Sequence, residues 1–355
     1  MAAAHGTSVS LRNTGAQTLV RILWQQTWQI LILAFVAAWL LVPNVVASDL
    51  ESDTVPATAA IDSRSARFRF RYHVTVTNLP PNRIADIWVP VATSDKHQSV
   101  MIENVALPGP YRETRDGRFG NAIFYFQVAA DRDGQVPIAI DYNVQRLEVT
   151  PRSGESLTEA DRRQFLRPNR MVPVGGRPVE LLEDRNLSGE SLEAVRKIYD
   201  VVDDHVSYDK PPGGAWGRGD AVWVCDSRYG NCSDFHSLFV SLCRSNGIPA
   251  RFQIGFPVNL KQSGSVGGYH CWAQFADEGH WVSVDISEAD KNPARKDYYF
   301  GSLPPDRVIF STGRDLILEP KQASGPLNFF VYPHVEVAGK VYKEFRKDFS
   351  FELSR

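Results

Sequence analysis

The stretch Tyr229–Phe256, YGNCSDFHSLFVSLCRSNGIPARFQIGF, constrains the fold of this chain more than any other part of it. Phe235, Leu238, Phe239, Leu242 and Cys243 recur at helical spacing, which predicts a buried helix. Gly247 supplies a stop and Pro249 reinforces it, so the helix runs from about Cys232 to near Ser245. Arg251–Phe256 then reads as a strand. Tyr269–Phe275 and Trp281–Ile286 read as two more, joined by a short turn at Glu278-Gly279. A helix followed by neighbouring strands gives an α+β unit.

This unit carries a set of chemistry-bearing residues. Cys232 stands where the helix begins, and the free N–H groups and dipole of a helix start favour a thiolate over a thiol. A thiolate nucleophile needs a partner that holds the ion pair and later protonates a leaving amine. His270 is the candidate, on a strand whose alternation puts His270, Trp272 and Gln274 on one face. Asp285 lies near the end of the next strand, where it can accept a hydrogen bond from the imidazole and fix its tautomer.

Four blocks make a resemblance specific: Gly230-Asn231-Cys232-Ser233-Asp234-Phe235, Gly247-Ile248-Pro249-Ala250-Arg251, Tyr269-His270-Cys271-Trp272-Ala273 and Trp281-Val282-Ser283-Val284-Asp285. In this order they resemble the bacterial transglutaminase-like domain family of the papain-like cysteine superfamily, over roughly residues 190–290. The resemblance implies a papain/transglutaminase-like core, a Cys-bearing helix packed on an antiparallel sheet. It also implies Cys232 as nucleophile, His270 as base and Asp285 as its orienting acid. Relatives complete the oxyanion hole with the nucleophile's own N–H and an upstream aromatic donor. Tyr208 is the first candidate for that donor and Trp223 the second. Asp234, His236 and Trp272 are expected to support the site.

Upstream, Phe68, Phe70, Tyr72, Val74 and Val76 alternate with Arg67, Arg69, Arg71, His73 and Thr75, the pattern of a half-buried strand. Ile87–Val89, Val100–Val105, Ala122–Val128 and the alternation from Val136 to Val144 are further strands, separated by Pro, Gly and Asn turns. Residues 65–150 therefore predict an all-β sandwich-like domain, an arrangement that also precedes the core in transglutaminase relatives. Residues 151–190 read as a connector, with Ser156 and Glu159 forming a capping box for a short helix through Leu166. An amphipathic helix follows, with Leu192, Val195, Ile198, Tyr199, Val202 and Val206 on one stripe, and it opens the core over 191–320. The segment 321–355 reads as a β-hairpin extending the sheet.

The N-terminal 47 residues have the layout of a secretory signal peptide: Arg12 and Arg21, then the apolar run Ile30–Val42, then Val45-Val46-Ala47 before the cleavage point. The rival reading is an uncleaved anchor over residues 22–42. Either way the chain is expected outside the cytoplasm, periplasmic or in the cell envelope, with residues 48–64 as a flexible lead-in. A net charge of −2 argues against nucleic acid as a partner. A membrane is expected to be engaged only through that anchor, and a protein or peptide of the cell envelope is the expected substrate.

Four cysteines, Cys225, Cys232, Cys243 and Cys271, form no C-x-x-C unit. If one is a reactive thiol, any disulfide is expected to join Cys225 to Cys243 or Cys271 and to leave out Cys232. Cys232 and His236, four apart on one helix face, could instead hold zinc with help from Cys225, His270 or Asp285, but the paired spacings of closed zinc sites are missing. No calcium loop occurs, and Asp203-Asp204 falls inside a predicted helix. No metal or cofactor is therefore expected. The reading is thiol acyl chemistry on amide or peptide bonds, by a peptidase, amidase or transglutaminase. The alternative is a non-catalytic binding or adhesion module that retains the fold.

Overall fold

A computed structural model describes residues 64–185, 187 and 192–354. The expected signal segment, and all but the last residue of the expected lead-in, lie outside the described residues. Among those described, no helix is long and apolar enough to cross a membrane.

The first six strands are β1 (Ser65–Val76), β2 (Ile84–Val91), β3 (Gln98–Ala106), β4 (Arg112–Arg115), β5 (Ala122–Ala129) and β6 (Val136–Leu147). In β1 the period of two is complete: Phe68, Phe70, Tyr72, Val74 and Val76 are buried, and Arg67 and Arg69 face water. β6 runs antiparallel to β1 and sets Tyr142 opposite Phe70. β2 pairs with β5, and β5 with β4.

In the connector, helix α1 (Glu159–Phe165) is capped by Thr158 with Asp161, in a capping box two residues further along than Ser156 and Glu159. Ser156 is taken up instead by a β-bridge to His280, which fixes the chain as extended just before the helix. Next come α2 (Leu192–His205), β7 (Ser207–Tyr208), α3 (Ala221–Ser227), β8 (Tyr229–Gly230) and α4 (Cys232–Ser245). Then follow β9 (Ala250–Pro257), β10 (Gly264–Val266), β11 (His270–Asp277), β12 (His280–Val284), α5 (Ile286–Lys291), β13 (Phe300–Gly301) and β14 (Arg307–Thr312). The expected third strand therefore ends at Val284. Asp285 caps a new helix, because its carboxylate accepts the Glu288 N–H.

These strands form an antiparallel sheet in the order β13-β12-β11-β9-β14. Every residue of α4 from Cys232 to Arg244 is buried. Phe235, Leu238, Phe239 and Leu242 share one core with Val195, Ile198 and Val202 of α2 and with Ala273, Phe275, Val282 and Val284 of the sheet. Each such side chain contributes roughly 1.5–3 kcal/mol of transfer free energy. Buried Arg244 fastens the end of α4, donating to Ala250 O, Arg167 O and Asn169 Oδ1.

The last strands are β15 (His334–Val337), β16 (Lys340–Val341) and β17 (Phe345–Leu353). The structure differs here from a single hairpin extending the core sheet. β15 and β16 do form a hairpin, but β15 lies beside β2, and β17 crosses to the other layer beside β1. The two layers run β10-β17-β1-β6-β3 and β16-β15-β2-β5-β4. They enclose one core, which Val335 enters from one side and Phe349 and Phe351 from the other. Burial of both sets of side chains splits the terminal strands between the layers. The core also continues into the α+β sheet: Phe256 lies 5.3 Å from Phe70, and Phe310 lies 5.2 Å from Tyr72, between ring centroids. The chain is thus an α+β protein in which the first and last described strands close the sandwich that braces the helix–sheet unit.

Candidate active site

Cys232 is the first residue of α4, and local chemistry fixes the helix start there. Asn231 is the N-cap: its Oδ1 accepts the Ser233 N–H at 2.9 Å, while its own N–H donates to Asp234 Oδ2 at 2.9 Å. Gly230 is demanded by this box, since a Cβ there would stand 2.5 Å from the Asp234 carboxylate. Asp234 also accepts the N–H groups of Gly217 (2.6 Å) and Gly219 (2.8 Å), drawing the 210–220 loop over the helix start. The Asp234 and Phe235 N–H groups bond to Asn231 O. Of the N–H groups at this terminus, that of Cys232 is the one with no such partner among the described residues.

His270 begins β11, and its Nε2 lies 2.7 Å from Asp285 Oδ2. That leaves Nδ1 for the hydrogen bond between this ring and the Cys232 thiol. Cys232 is 2% exposed, His270 6% and Asp285 0%. Burial disfavours each charge, yet the charges stabilise one another. Against its desolvation, hydrogen bonds from Cys271 and His270 and the charge of His270 hold Cys232 well below its ordinary thiol range. Against the same penalty, the charge and hydrogen bond of Asp285 and the contact with Cys232 raise His270 to about 10. Asp285 in turn is held well below the carboxylate range, first by His270 and then by Arg307, despite complete burial. These directions favour a thiolate on Cys232 and an imidazolium on His270, beside the Asp285 carboxylate.

Arg307, on β14, was not legible as part of the site. Its Nη1 donates to Asp285 Oδ2 at 2.8 Å and its Nε to Asp306 Oδ1 at 3.1 Å. The guanidinium lies 4.9 Å from the Trp272 ring, so Trp272 packs behind the pair as a wall. Trp272 also donates its indole N–H to Gln253 Oε1 at 2.8 Å. In the sequence Arg307 is an ordinary strand residue, and nothing in its neighbours marks it.

His236, one turn along α4 from Cys232, is fully buried. Its Nε2 accepts the Ile286 N–H at 3.1 Å, so the ring proton sits on Nδ1. Burial lowers its pKa and keeps it neutral. That bond pins the residue after Asp285 to the helix that bears the cysteine. Among the described residues, no three His, Cys, Asp or Glu side chains gather as a metal site.

All four cysteines are free and buried. Cys271 does not face Cys225. Alternation along β11 turns it toward α4 with Ala273 and Phe275, its Sγ lies 3.8 Å from His236 Nδ1, and it shares a buried cluster with Cys232. Of the two partners expected for Cys225, Cys243 shares its core, whereas Cys271 lies in the cluster of Cys232.

The two aromatic candidates separate. Tyr208 pairs with Gly230 in the short parallel β7–β8 contact, two residues before Cys232, and the Cys232 charge acts on its hydroxyl. Trp223 packs edge-on against Tyr229 at 5.5 Å and under Arg218, and among the described residues no interaction links it to Cys232. A third aromatic, Tyr269, accepts the Asn231 Nδ2 hydrogen at 3.1 Å and stands beside the thiol. Its position immediately before His270 was the signal that could have found it.

Known proteins with similar features agree with this architecture. Residues 183–286 match the family described as the transglutaminase-like superfamily. An uncharacterized protein of Haemophilus influenzae is 31% identical over a region covering 35% of this chain and 42% of that relative, so the chain spans less than half the relative's length. The crystal structure of a candidate cysteine protease from Cytophaga hutchinsonii superposes with a TM-score of 0.53 at 17% identity, covering 82% of this chain and 99% of that one. The periplasmic domain of TgpA from Pseudomonas aeruginosa gives a TM-score of 0.33 at 18% identity, covering 66% of this chain and 93% of that one. At 17% identity the likeness to the Cytophaga structure speaks for the fold alone. Over residues 183–286 the chain carries a transglutaminase-like domain, set in an α+β fold similar to that of the Cytophaga structure.

Proposed function

We propose that the protein is a cysteine enzyme that performs thiol acyl chemistry on amide or peptide bonds outside the cytoplasm. One observation carries the reading: Cys232 buried at a helix start, with His270 hydrogen-bonded to buried Asp285 at 2.7 Å, an environment that favours the thiolate and the imidazolium. Cys232 Sγ attacks the amide carbonyl carbon, and the carbonyl electrons move onto oxygen. The unclaimed Cys232 N–H and the Tyr208 hydroxyl are the donors for that oxyanion, each worth about 3 kcal/mol. His270 then gives its proton to the departing nitrogen, the C–N bond breaks and a thioester remains. The now neutral imidazole takes a proton from water, whose oxygen attacks the thioester and releases an acid and the Cys232 thiolate. Asp285 keeps the ring's tautomer and orientation throughout.

Water is the acceptor in this reading, because no dedicated amine site is built into the residues around Cys232. The expected export segment supports a cell-envelope protein or peptide as substrate. The test is a peptide-amide donor library with and without a primary amine, followed by mass spectrometry. Ammonia or amine release with free acid as product supports hydrolysis. Incorporation of the added amine would reassign the enzyme to amine transfer. No turnover across the library, together with an unreactive Cys232, would leave a binding module.

A further inference from the structure

Cys271 is a buried thiol that the proposed chemistry does not use. The chain's four cysteines divide between two regions of the interior: Cys225 and Cys243 lie in the helical core, whereas Cys232 and Cys271 share the other one. Cys271 stands on β11 opposite Ile254, on the side facing α4, and its Sγ is 3.8 Å from the His236 ring one turn above Cys232. The two side chains belong to one buried cluster, and each acts on the other's charge. We propose that Cys271 is a resolving cysteine: a peroxide oxidises Cys232, and Cys271 then closes a reversible Cys232–Cys271 disulfide that masks and protects the nucleophile. This rests on Cys232 being the reactive thiol.

The chemistry divides between the two sulfurs. Burial and the neighbouring Cys232 charge push the Cys271 thiol well above its ordinary range, so it stays protonated and is not the sulfur that a peroxide meets as a thiolate. Cys232 Sγ attacks one peroxide oxygen; the O–O bond breaks, Cys232 becomes a sulfenic acid and hydroxide leaves. The sulfur of Cys271 then attacks the sulfenic sulfur and the S–O bond breaks. The departing hydroxide takes the Cys271 proton and leaves as water. Two thiol sulfurs are oxidised by two electrons in total, and the peroxide is reduced. The sulfurs share one buried cluster and need to close to the disulfide length of about 2.05 Å. Without Cys271, the sulfenic acid has no thiol in reach in that region and proceeds to sulfinic acid, which ordinary thiols do not reverse.

The test uses the full chain. Reduced protein is treated with hydrogen peroxide, remaining thiols are capped with iodoacetamide, and non-reduced peptides are mapped by mass spectrometry. The expected result is a linked pair of peptides carrying Cys232 and Cys271, with alkylation of Cys232 lost and then restored by dithiothreitol. In Cys271→Ala, prolonged peroxide should instead give Cys232 sulfinic acid that dithiothreitol does not rescue. Oxidised wild-type protein with Cys232 as sulfinic acid and Cys271 still free to alkylate would overturn the proposal, without need of the variant. Alkylation of the reduced protein at about pH 6 separates the two readings. A Cys232 that reacts rapidly but never bridges refutes the resolving cysteine alone. A Cys232 that does not react refutes the thiol enzyme as well.

Discussion

A single oxygen of Asp285, Oδ2, receives both His270 Nε2 at 2.7 Å and Arg307 Nη1 at 2.8 Å. The other oxygen, Oδ1, accepts the Ser287 hydroxyl at 3.0 Å and the Glu288 N–H at 3.2 Å. The carboxylate is therefore held on every side, and it cannot turn away from the imidazole without breaking two bonds. Arg307 also competes with His270 for the same negative charge, so it anchors Asp285 while moderating how far Asp285 raises the His270 pKa.

Arg307→Leu should destabilise the fold by about 3–5 kcal/mol, because removing one partner strands a buried charge. The loss is read as a lower midpoint in urea at unchanged slope. In the same variant the alkaline limit of Cys232 alkylation should move upward, since His270 loses a competing cation. A variant with wild-type stability would show that Arg307 does not hold Asp285.

The thiolate–imidazolium pair sets a pH profile. His270 is raised from 6.5 to about 10, so alone it contributes stability that is fully present below 6.5 and lost as pH rises through 10. Cys232 is depressed from 9.0, so alone it contributes stability present above 9 and lost as pH falls through its folded value. Between about 6.5 and 9 the folded and unfolded states hold the same number of protons on this pair, and its contribution is flat. Stability from the pair should fall on both sides of that window in wild type; in Cys232→Ala the acid-side fall from this pair should vanish, while His270, still raised by Asp285, should lose stability from about pH 6.5 upward. Urea titrations across pH measure the difference.

Gly230→Ala should cost about 1–3 kcal/mol and slow alkylation of Cys232. The added methyl meets the Asp234 carboxylate, which is already committed to Asn231, Gly217 and Gly219. The helix start must shift, and the thiolate shifts with it. Chemical denaturation together with iodoacetamide rates reads both effects.

Tyr208→Phe should reduce kcat by roughly a hundredfold if its hydroxyl serves the oxyanion, with KM little changed. Trp223→Phe, on the far side of Tyr229, should leave kcat near wild type. Equal losses in both variants would point to packing rather than to an oxyanion donor.

Much of this site could be read along the chain because its signals are short in range. Asn231, Asp234 and the apolar spacing of Phe235, Leu238 and Leu242 mark a helix start within a few residues, so the position of Cys232 was legible. Alternation in β11 likewise fixed which residues share a face with His270. What the sequence could not supply were partners chosen by shape over long separations. Arg307 reaches Asp285 from a strand 22 residues away, across a sheet whose order is decided by packing. β17 sits beside β1, from the other end of the chain, because Phe349 and Phe351 complete a core begun by Phe70 and Tyr72. Cys271 faces Cys232 rather than Cys225 because the strand's pleat turns it toward the start of α4, and only the docking of that helix on that strand decides which thiol it meets.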